Sequence, residues 1–341
     1  VLGYDNKLLR RFTDTAKNSP KRVVFAQANT DNMLQAAVEA YKSGICFPIL
    51  LGNEEMIAKR AKKLDLELKG ITIVNPRHDR EERRRARYAK LHMNKHQRDG
   101  INLTEAYEKM YDRNYFGMMM VETGEADAFI TGLYTKYSNT IKVANEVIGI
   151  RPGFDHFATM HLINSKKGIL FVADTLINRH PDEQTLYDIA RLSASTVRFF
   201  NRTPTIAMLS YSNFGTDTEG SAERVQHVIE RMHREYPDLA IDGEMQLNFA
   251  MDKELRDEKY PFNMLKGMDV NTLVFPNLSA ANSSYKIVKA LFEDGEVVGP
   301  IQMGLNKPIH FTDFECSVRD IVNITAVAVI DAIVEEKKRQ G

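Results

Sequence analysis

Arg22 to Leu51 reads RVVFAQANTDNMLQAAVEAYKSGICFPILL. Its opening, Arg22-Val23-Val24-Phe25-Ala26, is a nearly continuous apolar run, the pattern of a strand covered on both faces. Asp31 or Thr30 can cap the helix that follows, in which Leu34, Ala37, Val38 and Tyr41 recur at helical spacing. Gly44 ends that helix, and Phe47-Pro48-Ile49-Leu50-Leu51 is a second apolar run. Strand, helix and strand in this order specify a parallel pair joined by a crossover.

The same alternation extends along the chain. Leu8, Leu9 and Phe12 mark a helical lead-in, residues 54–63 a helix and 71–74 a strand. One helix is expected over residues 104–121, where Met110, Met118, Met119 and Met120 fill core. Ala128 to Gly132 is a strand leading into a polar loop, Tyr134 to Thr140, and a helix carrying Lys142. A second set has strands at 156–162, 169–173, 205–209, 239–242 and 272–275, with helices at 182–200, 221–234, 250–256 and 280–292. Arg151-Pro152-Gly153 reads as a crossing between lobes and Gly299-Pro300 as the return. The expected fold is α/β, two-lobed and three-layer α/β/α, with mostly parallel sheets. Residues 1–152 and 301–341 form the first lobe, and 153–300 the second, which carries a dimerisation surface.

At 341 residues the chain exceeds a single small core, which supports two lobes. The formal net charge is zero, so no global field favours nucleic acid or a membrane surface. Cys46 and Cys316 form no CxxC pair, which argues for a reducing, cytoplasmic setting and against a zinc site. No apolar run approaches the roughly 20 residues that span a bilayer. The first residue is Val rather than Met, in keeping with a segment of a longer polypeptide. Arg83, Arg84, Arg85 and Arg87 within residues 77–95 read as a solvated helix with Glu81 and Glu82 as counter-charge, in preference to an anion patch.

Glycine-rich phosphate loops, HExxH and GxSxG are missing, and the nine histidines show no ligand spacing. Polar residues instead cluster after strands, at 131–140, 210–221, 242–248 and 276–286, where open parallel sheets bind ligands. Ser210-Tyr211-Ser212-Asn213-Phe214-Gly215-Thr216 can present hydroxyls and backbone N–H groups to an anion, or can simply cap itself.

Asn271 to Leu291 (NTLVFPNLSAANSSYKIVKAL) and Gly299 to His310 (GPIQMGLNKPIH) resemble signature segments of the phosphate acetyltransferase family. Val172 to Gln184 and the TGLYTKYSNTIK loop agree, and the resemblance runs from about Pro20 to the last helix. It implies a fold similar to isocitrate and isopropylmalate dehydrogenases, an inter-lobe cleft for coenzyme A, and a homodimer or higher homo-oligomer. Aligned on Lys307-Pro308, Asp313 and Phe314 stand where the transferases carry a catalytic Ser-Arg pair. Asp320, seven residues after Asp313, matches the base position.

Those exchanges, with Ser210 to Thr216 and Asp242 to Gln246, look more like the C-terminal domain of NADP-dependent malic enzyme. That branch implies a non-catalytic regulatory and oligomerisation domain binding acetyl-CoA, or a related acyl-CoA, as effector. Malate oxidation with NADP or NAD and a divalent metal would belong to an absent N-terminal malic-enzyme domain. The ligand residues expected are Thr140, Lys142, Ser212, Asn213, Asn282, Lys286, Gly304 and Lys307. Hydroxyls and lysines would meet phosphate or carbonyl oxygens, and Gly304 would allow close backbone approach. The alternatives are an active phosphate acetyltransferase, converting acetyl phosphate and coenzyme A to acetyl-CoA and phosphate, and an assembly module without a ligand.

Overall fold

The computed structural model describes residues 7–132, 137–165, 168–291, 296–313 and 315–340. The chain divides into two units, one made of residues up to Gly149 and from Leu305 onward, the other of Ile150–Gly304. Among the described residues no helix is long and apolar enough to cross a membrane.

The first unit begins with α1 (Lys7–Asn18), β1 (Lys21–Phe25), α2 (Asp31–Lys42), β2 (Cys46–Leu51), α3 (Glu54–Lys63), β3 (Thr72–Val74) and α4 (Glu82–Lys95). It continues through α5 (Leu103–Lys109), α6 (Arg113–Glu122), β4 (Ala128–Gly132) and α7 (Tyr137–Val147). It resumes with β11 (Ile309–Thr312) and α13 (Val318–Gln340). Its five strands run in the order β11-β4-β1-β2-β3 and every pairing is parallel. Val23, Val24 and Phe25 are wholly buried at its centre. Each such side chain contributes about 1.5–3 kcal/mol through removal from water. Ile321 to Ile330 is buried without a break, because α13 packs against α1, α2 and the central strands together. A helix apolar on every face belongs inside a core.

Thr30 takes the N-cap position of α2, but its hydroxyl donates to the Gln27 carbonyl at 3.0 Å. The single helix expected over 104–121 is two. Asp112 accepts from the Asn114 and Tyr115 amides, at 2.8 and 3.2 Å, and starts α6 afresh. Gly117 sits where α6 crosses the sheet. A Cβ there would overlap the Phe129 ring and lie 2.9 Å from Leu51 Cδ1. The four methionines Met110, Met118, Met119 and Met120 are core. On α4, Arg84 pairs with Glu81 and Glu125, and Arg87 with Glu125. Arg85 does not face solvent: it is buried, donates to the Pro76 and His78 carbonyls, and lies over Tyr111.

The second unit comprises β5 (Ala158–Ser165), β6 (Gly168–Ala173), α8 (Glu183–Phe199), β7 (Thr205–Leu209), α9 (Gly220–Glu235) and β8 (Ala240–Met245). It ends with α10 (Leu247–Met251), α11 (Lys253–Lys259), β9 (Thr272–Val274), α12 (Leu278–Leu291) and β10 (Glu296–Met303). Its six-stranded sheet has the order β10-β5-β6-β9-β7-β8. β6, β9, β7 and β8 pair parallel, whereas β5 pairs antiparallel with both β6 and β10. Gly299-Pro300 therefore lies inside an edge strand, at a register shift between Val298 and Ile301, where a proline is tolerated. The helix expected at 250–256 is likewise two, because Asp252 caps α11 through the Leu255 amide at 2.9 Å.

Candidate functional site

In each unit the polar residues gather at the carboxyl ends of the parallel strands. In the first unit, Gln27 follows β1, and its amide nitrogen donates to Thr131 Oγ1 at 3.0 Å and to the Gly132 carbonyl at 3.3 Å. Its amide oxygen accepts from the Gly132 N–H. Thr131, the fourth residue of β4, donates to Asn114 Oδ1 at 2.8 Å, and Asn114 Nδ2 reaches Thr140 Oγ1 at 3.5 Å. Arg113, beside Asn114, donates to Asn29 Oδ1. Burial, then the neighbouring Arg77, lowers the pKa of the Arg113 guanidinium. Thr312 closes β11 beside Gly132, and its buried hydroxyl has no hydrogen-bond partner among the described residues.

Asp313 follows at once, its N–H donating to Cys316 Sγ at 3.2 Å. Phe314 lies outside the described residues. Asp320 occupies the first turn of α13: its Oδ2 accepts the Ser317 N–H at 2.9 Å, and its own N–H donates to Ser317 Oγ at 3.2 Å. This reciprocal pair is a capping box, so the carboxylate at the expected base position also starts a helix.

The expected ligand residues of this unit do not converge. Thr140 is buried within the Asn114 network, whereas Lys142 is 72% exposed and 3.6 Å from Glu146 on α7. Two residues apart on a helix, they point about 200° away from each other. Lys307 precedes β11 at the amino edge of the sheet, lining a recess with Lys21, Arg22 and Asp127. Asp313 lies beyond the other end of that strand, at most about 20 Å of extended backbone away.

In the second unit the loop after β7 folds onto β8. Glu244 is wholly buried, and its Oε1 accepts from Ser212 Oγ at 3.2 Å and from the Gly215 N–H at 2.9 Å. Asn213 and Gln246 exchange two hydrogen bonds, at 3.0 and 2.8 Å. The donors that an outside anion would use are thus directed to the protein's own carboxylate.

Beside it, Asp174 is buried at the end of β6. Oδ1 accepts from the Thr159 amide and hydroxyl, both at 2.9 Å, and Oδ2 from the Asn178 amide and side chain, both at 2.7 Å. Thr175 Oγ1 meets His161 Nδ1 at 2.8 Å, and His161 stacks on Tyr285 of α12 at 4.1 Å. Asn282 donates to the Thr175 carbonyl at 3.2 Å, which ties α12 to this cluster; Lys286 follows one turn later and is half-buried. Gly304 adopts φ +98°, and a Cβ there would lie 3.0 Å from Leu192, so its glycine fits a left-handed, tightly packed position. Gln27, Asn114, His161 and Glu244 were not singled out from sequence, and Asp174 stood out only as the Asp that follows a strand in the Val172 to Gln184 segment. The available signal was position alone: Gln27 and Asp174 each follow at or just beyond a buried run.

A family model described as phosphate acetyl/butaryl transferase matches residues 7–329, and the chain belongs to that family. The NADP-dependent malic enzyme of Salmonella typhimurium is 36% identical over 331 residues, covering 96% of this chain but 43% of that protein. The chain therefore spans less than half the length of that relative. The phosphate acetyltransferase of Clostridium acetobutylicum is 31% identical over 332 residues, covering 95% of this chain and 98% of that protein. A phosphotransacetylase from Streptococcus pyogenes superposes with a TM-score of 0.86 at 30% identity, covering 96% of this chain and 98% of that one.

These matches correct the expectation of an oxidoreductase. The matched family is a transferase family, and this chain aligns with nearly all of a transferase and of its fold.

Proposed function

We propose that the protein exchanges an acyl group between an acyl phosphate and coenzyme A. The observation that carries this reading is alignment with 98% of the Clostridium acetobutylicum phosphate acetyltransferase. The polar carboxyl edge of β1, β4 and β11 supports it. The thiol sulfur attacks the acyl carbonyl carbon, the carbon–oxygen bond to phosphate breaks, and inorganic phosphate leaves. Asp320 takes the thiol proton. The hydroxyls of Thr312 and Thr140 and nearby backbone N–H groups are the donors available to the developing oxyanion. Acyl-CoA as product and a homodimer are part of the same proposal.

Asp313 favours a second reading, in which acyl-CoA binds without turnover. A carboxylate in place of a hydroxyl repels a thiolate and offers no donor to an oxyanion. Phe314 supplies no cation in place of the family's Arg. Loss of one such donor lowers turnover by about 10²–10³.

Incubation with acetyl phosphate and coenzyme A, following thioester and phosphate together, decides between them. Equimolar appearance of both supports transfer. Calorimetric binding of acetyl-CoA with no turnover supports the second reading, and neither signal overturns both.

A further inference from the structure

Arg113 begins α6 at the carboxyl edge of the first unit's sheet, and its guanidinium reaches toward the ends of β1 and β2. Its Nη1 donates to Asn29 Oδ1, beyond β1, at 2.5 Å. A Cβ on Gly52, the residue after β2, would lie 3.8 Å from Arg113 Cζ. Arg77 follows β3 and is the neighbouring charge that, after burial, lowers the Arg113 pKa. The acids nearby do not balance this pair. Asp31 and Glu54, which begin α2 and α3, already hold Arg60 and Arg80. Asp112 accepts from the Asn114 and Tyr115 amides at the start of α6. Among the described residues neither Arg113 nor Arg77 has a carboxylate partner, and the remaining N–H groups of Arg113 have no acceptor. These groups are open to an incoming ligand, because Arg113 is only partly buried, with no sealed nitrogen, and Arg77 is exposed. A partly desolvated cation beside a like charge is unfavourable, and an anion bound across both offsets the two costs.

Two links join the pair to the cluster assigned to the transfer chemistry. Asn114, next in sequence to Arg113, is hydrogen-bonded to Thr131 and Thr140. Asn32, three residues after Asn29, donates through Nδ2 to the Cys316 carbonyl at 3.1 Å, just before the Ser317–Asp320 capping box. The first turn of α2 therefore has Arg113 on one flank and the Asp320 helix start on the other. A guanidinium donates parallel N–H groups in the geometry that suits a phosphate, and a second arginine matches the second negative charge of a phosphate dianion.

We propose that Arg113 and Arg77 bind a phosphate group of the substrate beyond the ends of β1, β2 and β3. This rests on the reading above, in which acyl phosphate and coenzyme A, both phosphate-bearing, are the substrates. Titration calorimetry on the intact protein uses inorganic phosphate, coenzyme A and pantetheine, the thiol arm without phosphate, as separate probes. Arg113→Gln and Arg77→Gln are each expected to weaken a phosphate-bearing probe by about tenfold or more and to leave pantetheine unchanged. Weaker inorganic phosphate with coenzyme A unchanged assigns the subsite to the acyl phosphate. Weaker coenzyme A assigns it to the phosphates of that molecule. Arg77 is exposed, so Arg77→Gln remains informative if Arg113→Gln unfolds. Affinities that either folded variant leaves unchanged overturn this proposal alone, as does an equal loss with pantetheine. A parent protein that binds neither inorganic phosphate nor coenzyme A overturns it together with the reading it rests on.

Discussion

Ser212 donates its hydroxyl to the buried Glu244 carboxylate at 3.2 Å, and the Gly215 N–H joins it at 2.9 Å. A loop that reads as an anion cradle therefore directs its donors to a side-chain oxygen of the protein's own. Glu244→Ala strips both donors of their acceptor and is expected to cost about 2–4 kcal/mol in urea denaturation. Added phosphate should then stabilise the variant more than the parent. Equal stabilisation of both proteins would sink the assignment.

Asp320 has two candidate jobs that one substitution separates. Asparagine retains an oxygen to accept the Ser317 N–H, at 2.9 Å in the parent, but cannot take a thiol proton. Asp320→Asn is expected to keep the melting temperature within a few degrees and to lose at least about 10²-fold in acyl transfer. Unchanged turnover in Asp320→Asn would leave it the helix start alone.

Asp313→Ser combined with Phe314→Arg restores the family's pair. The expected gain in turnover from acetyl phosphate is about 10²-fold or more, read by thioester formation. If the rate does not move, the transfer site lies elsewhere.

Gly117→Ala sets two effects of opposite sign against each other. Helix propensity favours alanine by about 1 kcal/mol. The added methyl overlaps Phe129 and approaches Leu51 Cδ1 to 2.9 Å, and overpacking of that kind costs about 1–3 kcal/mol. Net destabilisation is expected in thermal unfolding, relieved by a smaller residue at Phe129.

His92 should leave a mark on stability against pH. Its native pKa is lowered from 6.5 to about 4, so on acidification the unfolded chain binds a proton that the native state refuses. Stability contributed by the neutral ring is complete above 6.5, falls as pH drops from there, and levels off below about 4. His92→Leu should show a shallower fall across that window in urea midpoints measured at successive pH values. Parallel curves for the two proteins would contradict this.

The sequence disclosed those strands that are buried on both faces, because Val23-Val24-Phe25 and Ala128-Phe129-Ile130 announce themselves as apolar runs. It concealed the breaks at Asp112 and Asp252, where one carboxylate outweighs a continuing helical period. It also concealed β10, since Gly299-Pro300 resembles a turn until an edge strand with a register shift accommodates it. The polar clusters were legible as neighbourhoods after strands. Their membership was not, because Gln27 meets Thr131 across 104 residues, and Ser212 meets Glu244 across 32. Thr140 and Lys142, two residues apart in one motif, face opposite ways on α7.

The return of the chain to its first sheet sets an order of assembly. The second unit is one uninterrupted stretch, Ile150–Gly304, whereas β4 acquires its outer neighbour, β11, only when residues 309–312 emerge. α13, which covers that sheet, emerges later still. During synthesis the earlier strands must therefore wait, with one edge and one apolar face uncovered, while the intervening unit completes itself. Closing so long a loop is slow, and a waiting strand edge is a template for wrong pairing. The first unit begins before the second and finishes after it.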